Sequence, residues 1–334
     1  MKLKPYLLLL ACLGLLLGCQ PEAVEELAAE SGSEINIGHI EQFDSAILGE
    51  ERDLWIYIPS SADDPANTDK YYPVLYLLDG SAHFHSVTGI VQKLGASRDG
   101  NSITPEMVVV AIPNTDRTRD LTPTHVDEPE DNTSGGGEDF LDFIEFELIP
   151  YIEGRYPVND YRSFIGHSLG GLMVIESLVT RPHVFENYLA IDPSLWWDDQ
   201  AILRKAEAAL VERDFSGKAL FVAVANTMRE GMSIDTVVDD SSESTDHIRS
   251  ILQFSATAER EARNGLQFGR DYYPDDTHGS VPLIAEYDAW RFLFDWHYLN
   301  GLNEFVSPGF NQNLRGANGC GYRPLREPFR PFRL

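Results

Sequence analysis

Five residues restrict the fold of this chain more than any others: Gly166-His167-Ser168-Leu169-Gly170, a Gly-x-Ser-x-Gly set between a strand candidate at residues 162–165 and an apolar helical run at 172–179. A serine in that context sits on a sharp strand-to-helix turn. The residues two positions either side must then lack side chains, because their backbones approach one another. Gly171 adds clearance. The pentapeptide alone would be a weak signal, since glycine and serine are common. The strand before it and the helix after it make it a device for exposing a hydroxyl.

The rest of the chain agrees. Short runs rich in β-branched and aromatic residues recur at 54–58, 74–78, 107–112, 188–191, 219–225 and 267–273. Between them lie helical patterns at 138–153, 201–211, 246–263 and 282–299, the first marked by Phe140, Phe143, Ile144, Leu148 and Ile152 at three- and four-residue spacing. Strands alternating with helices predict an α/β fold, with a mostly parallel central sheet and helices on both faces. Residues 115–137 are polar and turn-rich, which marks a long surface loop.

A hydroxyl is a poor nucleophile near neutral pH and needs a base that a third group holds in place. In this type of fold the order along the chain is serine, acid, histidine. Of the histidines after Ser168, His278 lies in a loop between the last strand and the last helix, where the base is expected. His247 and His297 fall inside helical patterns, which suits a structural or solvent-facing role. The acid should follow the strand at 219–225. Glu230 comes soonest, and Asp235, Asp239 and Asp240 are further candidates that spacing does not rank firmly. The oxyanion would be held by the backbone N–H of Leu169 and one from Gly80 or Ser81. Trp196 and Trp197 either border an acyl or aromatic pocket or pack the core. His83-Phe84-His85 could be metal ligands on one strand face, but no convincing carboxylate set accompanies them, so a place in the pocket wall or the core is the better reading.

At these residues the chain resembles the family of α/β-hydrolases that includes esterase D, enterochelin and other siderophore esterases, feruloyl esterases and mycolyltransferases. The matching stretches are Val74-Leu75-Tyr76-Leu77-Leu78-Asp79-Gly80, Ile165-Gly166-His167-Ser168-Leu169-Gly170-Gly171, Asp192-Pro193-Ser194-Leu195-Trp196-Trp197 and His278-Gly279-Ser280-Val281-Pro282. Their order and spacing carry the resemblance over about residues 35–300. It implies the α/β-hydrolase fold, a serine carboxylesterase with Ser168 as nucleophile and His278 as base, and no metal or other cofactor. Asn226-Thr227-Met228-Arg229-Glu230 loosely resembles the stretch where relatives carry a glutamate as acid. The same chemistry would also serve an acyltransferase, and a surface-binding lipoprotein could use the fold without catalysis. Siderophore esters and aryl or acyl esters of sugars are all open as substrates.

The ends read differently. Residues 1–18 have a positive start and a short apolar run, the pattern of a bacterial export signal, and the run is too short for a stable membrane span. Leu16-Leu17-Gly18-Cys19 resembles a lipobox, which implies lipid on Cys19, a membrane attachment, and a cell-envelope location, with Gln20 favouring the outer membrane. Residues 19–34 form an acidic tether, 35–302 the hydrolase domain, and 303–334 an irregular, arginine-rich tail. The chain carries 26 basic and 53 acidic residues, formally -27, and removing 1–18 with Lys2 and Lys4 makes it 24 against 53, or -29. Such a charge repels nucleic acid, and the family resemblance implies a small-molecule or glycan-linked ester as partner. With Cys12 lost and Cys19 lipidated, Cys320 would have no intrachain disulfide partner.

Overall fold

A strand in the middle of a sheet covered on both faces must be apolar at every position, and successive residues must feed opposite cores. The computed structural model, which describes residues 35–95, 103–128 and 132–297, has this pattern. Its elements are β1 (His39–Ser45), β2 (Glu50–Tyr57), β3 (Tyr72–Leu77), α1 (Gly80–Gly95), β4 (Val108–Ala111), α2 (Arg117–Asp120), α3 (Gly137–Asp142), a π-helical segment (Phe143–Leu148), α4 (Ile149–Arg155) and β5 (Val158–His167). Then come α5 (Leu169–Thr180), β6 (Asn187–Ile191), α6 (Trp197–Glu212), β7 (Ala219–Ala225), α7 (Asp246–Arg260), β8 (Gln267–Tyr273) and α8 (Val281–Leu293).

The eight strands form one sheet in the order β1-β2-β4-β3-β5-β6-β7-β8. Strands β3 to β8 run parallel, while β2 is antiparallel to β4 and β1 antiparallel to β2. Leu220, Val222 and Val224 of β7 enter one core, with α5, α6 and α7; Phe221 and Ala223 enter the other, with α1 and α8. This is the α/β-hydrolase fold, a mostly parallel sheet with helices on both faces. No helix among the described residues is long and apolar enough to cross a membrane.

Besides the short α2, which lies within the expected loop at 115–137, two elements have no counterpart in the sequence reading. β1 is an edge strand with mostly exposed or half-buried residues, so it lacks an apolar run. α1 buries Phe84, Val87, Val91 and Leu94, a helical spacing masked by β-branched Val, Thr and Ile. His83 and His85 therefore lie on a helix, not on a strand face. The pattern at 138–153 is also not one uniform helix. It widens into the π-helical segment just before Pro150, which has no N–H to continue the ladder.

The segment after β4 is tied down by charge. Arg52, 1% exposed on β2, donates to Asp120 at 2.6 Å, and Arg119 bonds both Asp120 and Glu50. Farther on, Trp197 Nε1–H donates to the Thr124 carbonyl at 3.2 Å. Both anchors fix a long loop over the carboxyl ends of the strands. Residues 1–34 and 298–334, with Cys19, the tether and the arginine-rich tail, lie outside the described residues.

Candidate active site

Ser168 has φ 61° and ψ -117°, a left-handed conformation strained for any residue with a side chain. The two flanking glycines permit it. A Cβ built on Gly166 would stand 2.3 Å from the carbonyl carbon of Gly170, so the turn closes only when position 166 is bare, whereas one on Gly170 would only crowd Asp79 Oδ2 at 3.3 Å. Gly171 lets α5 approach Pro193, whose Cα would be 3.0 Å from an added Cβ. The Ser168 N–H donates to the Ile191 carbonyl, and its hydroxyl lies 3.2 Å from Ser194 Oγ.

Next to the elbow, at the end of β6, Asp192 is fully buried with φ 42°. Its Oδ1 accepts the Ala225 N–H at 2.9 Å. Its Oδ2 takes two imidazoles, His278 Nδ1 at 2.6 Å and His247 Nε2 at 2.8 Å. Burial alone would push this carboxyl up, but the hydrogen bonds from His247 and His278 outweigh it and hold Asp192 well below the usual carboxylate range. An ionised carboxylate only accepts, so both facing ring nitrogens carry hydrogen, and the neutral form of His278 presents its lone pair at Nε2. The His278 ring also packs on His167, centroids 4.5 Å apart, in the residue before Ser168.

The acid expected after β7 is not there. Glu230, Asp235 and Asp239 are exposed, and Asp240 bonds Ser242 and Thr245 ahead of α7. At the end of β7 stands Asn226, whose N–H donates to the Asp276 carbonyl and whose side chain donates to the Pro274 carbonyl. That clasp draws the loop carrying His278 across β7 toward β6, so the carboxylate it meets is Asp192. The sequence held one clue: an aspartate directly after the apolar run at 188–191, inside a stretch already matched to the family, has to be buried and therefore paired.

His247 is likewise no solvent-facing helix residue. Of the proposed oxyanion donors, Leu169 opens α5 and Ser81 is the second residue of α1, both in a first turn where a backbone N–H has no acceptor within the helix. The Gly80 N–H is instead spent on the Ile112 carbonyl at 3.0 Å. Close by, Asp79 accepts from Arg117 at 2.6 and 3.0 Å and from Asn114, and Arg117 reaches the His167 carbonyl. Burial would raise the Asp79 carboxyl, but the Arg117 contact keeps it below its ordinary value.

Trp196 is 43% exposed, whereas Trp197 is buried as the loop anchor, so of this pair Trp196 is the one that offers an accessible indole. His83 faces His167, with centroids 5.8 Å apart, and its Nδ1 is 3.6 Å from Glu286 of α8. Burial pushes the His167 imidazole down to about 4, with repulsion from His278 and His83 adding to it. Glu286 is fully buried, which pushes its carboxyl up to about 8.

Known proteins resemble this chain in sequence and fold. The model of the family described as Putative esterase matches residues 45–261. A ferri-bacillibactin esterase of Bacillus subtilis, BesA, is 37% identical over 175 residues, 47% of this chain and 59% of that protein. A siderophore triacetylfusarinine C esterase of Aspergillus fumigatus is 34% identical over 147 residues, 41% of this chain and 49% of the other. The chain thus spans about half the length of these curated relatives. Among solved structures, an IroE-like serine hydrolase of Shewanella oneidensis superposes with a TM-score of 0.68 at 35% identity, covering 77% of this chain and 80% of that one.

Proposed function

This chain belongs to the Putative esterase family, and on that premise we propose that it is a serine esterase acting on siderophore esters. The observation that carries the reading is the 2.6 Å contact between His278 Nδ1 and Asp192 Oδ2 at the mouth of the strained Ser168 elbow. With Nδ1–H committed to the carboxylate, Nε2 takes the proton of the Ser168 hydroxyl as its oxygen attacks the ester carbonyl. Asp192 is the orienting acid in place of Glu230. The tetrahedral oxyanion is held by the Leu169 and Ser81 N–H groups. His278 then returns the proton to the leaving alcohol, and water resolves the acyl-enzyme by the reverse sequence. The exposed indole of Trp196 is the natural wall for an aromatic or acyl group.

The substrate class rests on the relatives' siderophore-esterase names together with this geometry. The test is hydrolysis of p-nitrophenyl esters and of enterobactin, ferri-bacillibactin and triacetylfusarinine C by a soluble form that starts after Cys19. Ser168→Ala and His278→Ala should each lower turnover at least ~10³-fold. Turnover unaffected by both changes would refute the serine mechanism; cleavage of simple esters with all three siderophores untouched would refute the substrate class. The lipid anchor at Cys19 and a place in the outer membrane are part of the same proposal. Labelled fatty acid should enter the full chain and not Cys19→Ser.

A further inference from the structure

Asp192, His247 and His278 come from three separate places, the end of β6, the first turn of α7 and the loop after β8, yet their donor atoms lie within 4.8 Å of one another. Acyl transfer requires one imidazole on that carboxylate. The second, His247, is not accounted for by the hydrolytic chemistry. Two neutral ring nitrogens and one anionic oxygen are a donor set suited to zinc and similar divalent transition metals.

We propose that Asp192, His247 and His278 form an inhibitory binding site for a zinc-type divalent ion, which switches the hydrolase off by taking Nδ1 of His278. An ion about 2.0–2.1 Å from each donor spreads the donors to roughly 3.3 Å apart. The present contacts of 2.6 and 2.8 Å therefore open by only about 0.5–0.7 Å. The carboxylate is already oriented for this, because the Ala225 N–H fixes Oδ1 and leaves Oδ2 toward the rings. The His278 side chain is 40% exposed, so an ion has a way in and water can fill the fourth position.

No proton need leave the protein. Each neutral ring carries one, which moves through solvent from the nitrogen facing Asp192 to the opposite nitrogen as the ion binds. For His278 the proton then resides on Nε2. A ring that donates at Nε2 cannot accept the proton of Ser168, so the hydrolase stops while its fold is unchanged. The inhibition, though not the binding, rests on His278 being the base.

The two are separated by measuring binding without activity. Calorimetry of zinc chloride into Ser168→Ala should give one ion at this site. Adding His247→Phe should weaken it at least tenfold, with His247→Gln as a second, polar variant and circular dichroism as the folding control. In the wild type, zinc should abolish ester hydrolysis at the concentration at which it binds Ser168→Ala, and a chelator should restore it. Zinc binding that survives both His247 variants would overturn the site. Binding with hydrolysis unimpaired would overturn the inhibition. A wild type whose esterase activity Ser168→Ala does not abolish sinks the functional reading, and the calorimetry still decides the site.

Discussion

A carboxylate oxygen that accepts two imidazole N–H groups fixes both rings in one tautomer, and Asp192 does so while wholly buried. Replacing that oxygen with an amide offers N–H where His278 needs an acceptor. Asp192→Asn should therefore cut kcat by roughly 10³–10⁴, whereas Glu230→Gln, altering an exposed loop residue, should leave it within about twofold; steady-state kinetics on a p-nitrophenyl ester compares them. Ser168 and His278 were legible because each sits in a short local motif. Asp192 was not, because the choice between the ends of β6 and β7 depends on the clasp from Asn226 to the loop at 274–276, a contact across 48 residues for the side chain. Glu286 makes a separate prediction. Its folded pKa, pushed up to about 8, lies above the ordinary glutamate value of 4.5, so between those pH values the native state holds a proton that the unfolded chain releases. Stability from this group is intact below about pH 4.5 and falls as pH rises toward about 8. The full effect is about 5 kcal/mol at most, one pKa unit being about 1.4 kcal/mol. Glu286→Gln should gain on the wild type steadily from pH 5 to 8 in urea unfolding; parallel pH profiles for the two proteins would show that Glu286 titrates normally.

The loop between β4 and α3 reaches the site only because two elements hold it, β2 through Arg52 and the start of α6 through Trp197. Arg52 and Asp120 are each 1% exposed, so removing Arg52 leaves the buried Asp120 with Arg119 as its remaining cation and takes one from Glu50 as well. Arg52→Ala should cost about 3–5 kcal/mol, and the apolar pair Arg52→Met with Asp120→Leu should recover most of it. Chemical denaturation decides this: an Arg52→Ala loss below about 1 kcal/mol would mean that water reaches the pair. The elements that sequence periodicity revealed are those whose burial is uniform, such as β7 with seven buried residues in succession. β1 escaped because an edge strand needs no apolar run. α1 escaped because its buried spacing is written in residues that favour strands. The loop's own anchors were invisible for a related reason: a charged pair 68 residues apart leaves no local pattern.

Over the whole molecule, a formal charge of -27 sets a field that pairwise contacts do not describe. Near the elbow the positive charge of Arg117 is spent on Asp79, so it offers little to counter that field for an incoming anion. Screening reaches about 30 Å at 10 mM salt and about 8 Å at 150 mM, so the field acts across the molecule in the first case and only locally in the second. For an anionic ester kcat/KM should rise several-fold as salt increases from 10 to about 150 mM, while a neutral ester of the same acyl group should hardly change. The same field concentrates cations, so zinc inhibition should weaken over that range. These three responses have different signs from one cause, which separates them from a general effect of salt on the fold. If both esters respond alike, salt is acting on the enzyme and not on the encounter. If the anionic ester is unaffected as well, the acidic residues are arranged so that their field does not reach the mouth of the Ser168 elbow.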